Sequence, residues 1–257
     1  MCKIRTWCFM TSAKLGLRLS VLFIFFLISL VGCTSPSDNF NTNAIYIDAT
    51  VVAERSGRTT VTVVFTAEGK TVMLVSGDSL TVTAYGETKE TRSNSSTISP
   101  KYTTTFQRID ASEFIISLSR TGGDASAPST SATLPDAFDI VSPTNNQTFT
   151  QQDTLLLTWT DTSMQTDIAI QGECQRRDNS TPAITRSINF SQTSIGGSTT
   201  LNILEQLLGD TMLVASEACT VNVVLATRQD GNVDPIYKGG SITAMQVRRI
   251  ENVTIIP

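Results

Sequence analysis

"ACTVNVVLAT", residues 218–227, places Cys219, Val221, Val223 and Leu225 at every second position. Successive side chains of an extended chain point to opposite faces, so a period of two marks a strand with one face buried. The same pattern recurs upstream. "DIAIQGECQ" (167–175) puts Ile168, Ile170 and Cys174 on one face, and "TLLLTWT" (154–160) does so with Leu155, Leu157 and Trp159. Each cysteine therefore points the same way as its strand's apolar residues.

The alternation continues toward the amino terminus. Val61, Val63 and Phe65 share a face of "TTVTVVFTA" (59–67), and Leu80 and Val82 share one in "SLTVTAY" (79–85). Tyr102, Thr104 and Phe106, then Phe114, Ile116 and Leu118, follow the same rule. Between these runs lie turn formers: "RSGR" at 55–58, "AEGK" at 67–70, "SGDS" at 76–79 and "RSNSS" at 92–96. Short strands separated by regular turns indicate a sandwich or barrel. The abundance of Thr and Ser over Lys points the same way. One helical stripe interrupts the pattern at "NILEQLLGD" (202–210). Asn202 can cap it, Glu205 completes a capping box, Gly209 can end it, and Ile203, Leu204, Leu207 and Leu208 share a face.

Two stretches lack any apolar stripe. "TSPSDNFNTN" (34–43) reads as part of a flexible tether over 33–43, and "TGGDASAPSTSATLP" (121–135) contains a linker placed at 122–135. The expected fold is all-β, with two antiparallel β-sandwiches in tandem at 44–121 and 136–257 and one short helix in the second. Trp159, Cys174 and Cys219 resemble the cysteine–tryptophan–cysteine signature of immunoglobulin-type sandwiches. They depart from it, because Trp159 precedes both cysteines where a true immunoglobulin has it between them.

The first 32 residues have a different character. Lys3, Arg5, Lys14 and Arg18 precede the apolar run "VLFIFFLISLV" (21–31), and no acid occurs before Asp38. As a helix the run spans roughly 17 Å, short of a hydrocarbon core of about 30 Å. Basic residues, a short apolar core and then small residues form a secretory signal peptide over 1–32; Met10 is an alternative start. Leu30-Val31-Gly32-Cys33 resembles the lipobox of bacterial lipoproteins. That resemblance implies a diacylglyceryl thioether on Cys33, cleavage after Gly32 and acylation of the new amino terminus. Thr34, standing where an inner-membrane retention signal would carry Asp, implies the outer membrane. Cys174 and Cys219 are then the only cysteines left besides Cys33. In an exported chain, two cysteines on inward faces are expected to pair.

Chemistry is sparse. The chain has no histidine, which removes Ser-His-Asp and Cys-His catalysis and imidazole metal sites. No glycine-rich phosphate loop follows a strand, and no catalytic, metal or cofactor site is expected. "QDGNVDP" (229–235) places Asp230, Asn232 and Asp234 at alternate positions, as in the first half of a calcium loop. Pro235 stands where glycine is required, however, and Ser241 where a bidentate Glu is required, so a hairpin turn is expected. The doublets Arg176-Arg177 and Arg248-Arg249 read as solvated strand edges, and Trp159 reads as core. Without residues 1–32 the chain keeps 15 basic and 23 acidic residues, a net charge of −8. Such a surface repels phosphate backbones, so no nucleic-acid partner is expected. The functional expectation is a lipid-anchored, non-catalytic module that binds a protein or an envelope polymer. Two alternatives stand beside it: a polysaccharide-acting enzyme with paired carboxylates, and a carrier of a small apolar ligand.

Overall fold

The computed structural model describes residues 34–75, 77–94, 99–160, 164–176 and 186–257. The segment read as a signal peptide, Cys33 and Arg177 lie outside them. The described chain is all-β, and its strands form three sheets. The largest runs, in spatial order, β1 (Thr34–Pro36), β4 (Lys70–Met73), β3 (Arg58–Ala67), β2 (Tyr46–Glu54), β18 (Gly239–Ile256), β17 (Glu217–Asp230), β14 (Thr166–Arg176) and β15 (Arg186–Ser194). Three short strands attach to it: β8 (Tyr102–Phe106) on β3, β7 (Arg92–Ser93) on β8, and β12 (Thr148–Thr150) on β18. A second sheet orders β10 (Ala127–Thr133), β9 (Glu113–Ser119), β5 (Ser79–Ala84) and β6 (Glu87–Glu90). A third orders β11 (Ile140–Ser142), β13 (Thr154–Trp159) and β16 (Ser198–Asn202).

The alternating residues bury as their period requires. Val61, Val63 and Phe65 are fully buried, as are Leu157, Ile170, Cys219 and Leu225. Trp159 is core, at 4% exposure. The apolar side chains gather in two clusters. One lies between the second sheet and the β2–β3 half of the large sheet. The other lies between the third sheet and the half formed by β14, β17 and the end of β18.

A single strand serves both clusters. Along β18, Ile242 and Ala244 enter the first core, Gln246 and Arg248 are buried but polar, and Ile250, Val253 and Ile255 enter the second. Gln246 donates to the carbonyls of Ile109 (2.7 Å) and Pro135 (3.0 Å). Arg248 Nε donates to the carbonyl of Phe138 (2.5 Å), and its guanidinium lies 5.3 Å from that ring's centre. The two polar side chains thus separate the cores and fasten the crossing chain. This corrects the reading of Arg248 as a solvated edge: it is 3% exposed, whereas Arg249 faces solvent.

Other expectations are corrected as well. The segment read as a tether is folded: β1 pairs parallel with β4, two 3-10 turns follow at Ser37–Asn39 and Thr42–Ala44, and Ser37 and Thr42 are fully buried. The segment read as a linker contains β10, paired antiparallel with β9. The buried residues of β10, Ala127, Thr130 and Ala132, are too small or too polar to register as an apolar stripe. The boundaries shift accordingly. The first sandwich takes in β1, β10, Tyr237 and the start of β18, while the second begins with β11 and shares its longest strands. The sheets are not purely antiparallel either, because β18 runs parallel to β2 from Gly239↔Tyr46 to Val247↔Glu54. At "NILEQLLGD" a single π-type turn, Ile203–Leu207, takes the place of two α-helical turns. Asn202 Oδ1 accepts from the Glu205 N–H (3.1 Å) as a cap should, but the reciprocal acceptor is Gln206, not Glu205.

Candidate functional site

The most highly constructed polar cluster lies where the first sandwich receives the amino-terminal segment. Arg120 follows the last residue of β9, and its side chain is 3% exposed. Its Nε lies 2.9 Å from Oδ2 of Asp78, whose side chain is 1% exposed, and Nη1 lies 3.1 Å from Oδ2 of Asp124. The remaining guanidinium protons go to the amino-terminal segment. Nη1 donates to Thr42 Oγ1 (3.2 Å), and Nη2 donates to the carbonyls of Ser37 (2.9 Å) and Phe40 (3.3 Å).

Both carboxylates are fully engaged. Asp78 Oδ1 accepts from Thr121 N–H (2.9 Å) and hydroxyl (3.1 Å), and Oδ2 accepts from Ser37 Oγ (2.7 Å). Asp124 Oδ2 accepts from Thr42 N–H (2.9 Å) and hydroxyl (3.1 Å), and Oδ1 accepts from Ala125 N–H (2.9 Å). Burial pushes the Asp78 carboxyl up. The hydrogen bonds from Thr121 and Ser37 and the charge of Arg120 outweigh it and hold the group below its ordinary value.

An open cleft of about 490 Å³ borders this cluster, lined by Phe40, Asp78, Arg120 and Asp124 among others. A general acid needs a raised pKa and a free proton position. Asp78 has neither property, and Asp124 is tied to Arg120. The arrangement is a clasp: it holds Ser37, Phe40 and Thr42 against the sandwich. Sequence reasoning missed it, because a single Arg before "TGGD" carries no local signal and its partners in the amino-terminal segment lie 78 to 83 residues away. A second cleft, of about 510 Å³, is lined by Lys89, Glu90, Arg92 and Thr103–Thr105 and is likewise open and polar.

The carboxylates of 229–235 turn to separate partners. Asp230 Oδ1 accepts from Thr243 (3.0 Å). Asp234 is 3% exposed; it accepts from Ser129 through its N–H (2.9 Å) and hydroxyl (2.7 Å), and from Ile236 N–H (2.9 Å). Asn232 exchanges backbone hydrogen bonds with Ser131. The segment is a loop that pins β10. Among the described residues, no group of three or more His, Cys, Asp or Glu side chains is placed to hold a metal ion.

Cys174 and Cys219 form a disulfide. They stand directly opposite each other on β14 and β17. The bond therefore ties neighbouring strands of one sheet, where an antibody domain's disulfide joins its two sheets. Among the described residues no helix is long and apolar enough to cross a membrane.

Neither a protein-family model nor a curated protein matches the chain. Three solved structures to which it is similar are a DUF4785 family protein from Legionella pneumophila, a cytokine receptor complex and fibronectin(III)-like modules of CbhA from Clostridium thermocellum. Identities are 10%, 13% and 11%, and TM-scores are 0.25, 0.27 and 0.24. The matches cover 70%, 80% and 80% of this chain and 51%, 96% and 94% of the respective structures, so the chain spans about half of the Legionella protein.

Proposed function

We propose that this chain is an exported lipoprotein, held in the outer membrane by acyl chains on Cys33, whose body is a non-catalytic binding or scaffolding module of the cell envelope. One observation carries the reading. Basic residues, a short apolar run at 21–31 and Leu30-Val31-Gly32-Cys33 follow one another in that order, directly before the folded body. The Cys174–Cys219 disulfide supports export, since such bonds persist in oxidising compartments. One acyl chain gives marginal membrane binding and several give lasting attachment. Attachment raises the module's local concentration at the bilayer, where it meets a protein or an envelope polymer. The surface acids keep the body soluble and select against polyanions.

Metabolic labelling with palmitate tests this directly. The wild-type chain should take up label and sediment with membranes, while Cys33→Ser should take up none and fractionate with the soluble pool. Absence of label on the wild type, or unchanged fractionation of Cys33→Ser, refutes the assignment. Crosslinking in intact cells then identifies the partner.

A further inference from the structure

We infer that, given the acylation of Cys33 proposed above, the end of the first sandwich around Thr34 lies directly on the lipid headgroups, while β18 holds the second sandwich away from them. The first reason is the absence of slack. Thr34 pairs with Thr71, Ser35 is 9% exposed and Ser37 is fully buried, and the Arg120 clasp fixes the chain as far as Thr42. The Cα of Cys33 is about 3.8 Å from that of Thr34. An acyl-bearing Cys33 therefore brings this end of the sandwich into the interface.

The second reason is what the end presents. Cross-strand register aligns Thr34, Thr71, Thr66, Tyr46 and Gly239 in one row across β1, β4, β3, β2 and β18. Lys70 and Lys238, both exposed, precede Thr71 and Gly239 in that row, and the lysine ammonium of residue 238 lies 5.3 Å from the centre of the Tyr46 ring. Glu68, in the β3–β4 turn, and Asp48, two residues along β2 from Tyr46, are exposed acids near that end. Among the described residues, the two large apolar side chains exposed in the first sandwich are Tyr46 (38%) and Met73 (40%). Tyr46 is in the row, and Met73 faces Pro36 of β1. The other five, Val141, Leu156, Ile195, Met212 and Val214, belong to the second half of the chain. A tyrosine, a methionine and lysines with long apolar stems are suited to a headgroup layer, where an apolar body and a polar tip are both satisfied.

The third reason is direction. β18 starts in the row at Gly239 and runs 18 residues to Ile256, in the second core. At about 3.3 Å per residue that strand reaches up to roughly 60 Å. The chain is thus a post: one end is seated on lipid and the other is lifted clear of it.

The acylated full-length protein, reconstituted in phosphatidylethanolamine vesicles containing a minor fraction of phosphatidylglycerol, provides the test. An environment-sensitive fluorophore is placed on Tyr46→Cys or on Met212→Cys, and a spin-labelled lipid in the headgroup region serves as quencher. The label at 46 should shift blue and be quenched at least several-fold more than the label at 212. Arg120→Met frees residues 34–45 as a leash of up to about 40 Å, and should lower quenching at 46 while flotation with the vesicles persists. Vesicles that carry the protein but quench 46 no more than 212 overturn the inference and leave the acylation standing. A wild-type protein that does not float overturns both. The 46 versus 212 comparison in the otherwise unaltered chain decides the matter even if Arg120→Met does not fold.

Discussion

Arg120 is a cation removed from water, with Asp78 and Asp124 as its counter-ions. Such a group is tolerated when its charge is paired, and removing one member leaves an uncompensated charge inside the protein. Arg120→Met should therefore cost about 3–5 kcal/mol of unfolding free energy, measured as a lowered urea midpoint. The pH dependence follows from Asp78. Its folded carboxyl binds a proton more weakly than the unfolded one, so its contribution is present above the ordinary carboxylate pKa of about 4 and is lost as pH falls through the folded value. Asp234 acts in the same sense: burial pushes it up, and the hydrogen bonds from Ile236 and Ser129 more than reverse that. Urea midpoints should fall as the solution is acidified through that range, and Asp78→Asn should flatten the acid limb while lowering the plateau. An unchanged acid limb in Asp78→Asn would show that the clasp is not the source.

At the scale of elements, the strands with large apolar residues were legible in the sequence, because Val, Ile, Leu and Phe at every second position leave one solution to the burial problem. β10 and the segment 34–45 were not. Apart from Ile45 at the segment's end, their buried residues are Ala127, Thr130, Ala132, Ser35, Ser37 and Thr42, and what holds them is backbone pairing and side-chain hydrogen bonds to residues remote in sequence. Ser, Thr, Gly and Pro read as loop when those partners are unseen. The parallel seam between β2 and β18 was hidden for the same reason, yet its requirement is visible in one residue. Gly240 has φ +133°, and a Cβ there would lie 1.8 Å from the carbonyl oxygen of Ile47. Gly240→Ala should force β18 off β2 and cost more than about 3 kcal/mol, with loss of amide protection along Tyr46–Glu54 in hydrogen exchange. Retained protection would mean that the seam is dispensable. Of the candidate site, the disulfide pair was legible from face and compartment, whereas the clasp had no local signature.

For the whole molecule, two cores would ordinarily suggest two independent transitions. Here β17 and β18 pair from Cys219↔Ile255 to Asp230↔Thr243, and Gln246 and Arg248 fasten the chain that crosses between the cores. Tyr46, Tyr85, Tyr102 and Tyr237 lie in or on the first sandwich, and Trp159 lies in the second core. Tyrosine near-ultraviolet circular dichroism and tryptophan fluorescence of the chain from residue 33 onward thus report separate halves. The two signals should lose structure at the same temperature. Gln246→Leu with Arg248→Met should separate them by roughly 5 °C or more. Distinct midpoints in the unaltered chain would show that the halves are independent.

The sharing of β18 also sets an order in time. β18 completes the sheet beneath both cores, adding Ile242 and Ala244 to the one and Ile250, Val253 and Ile255 to the other. No stretch that stops short of β18 completes either core, so neither half can close before that strand is available. Closure then depends on pairing residues about 190 positions apart, as in Ser241 with Asp48, which makes it slow by nature.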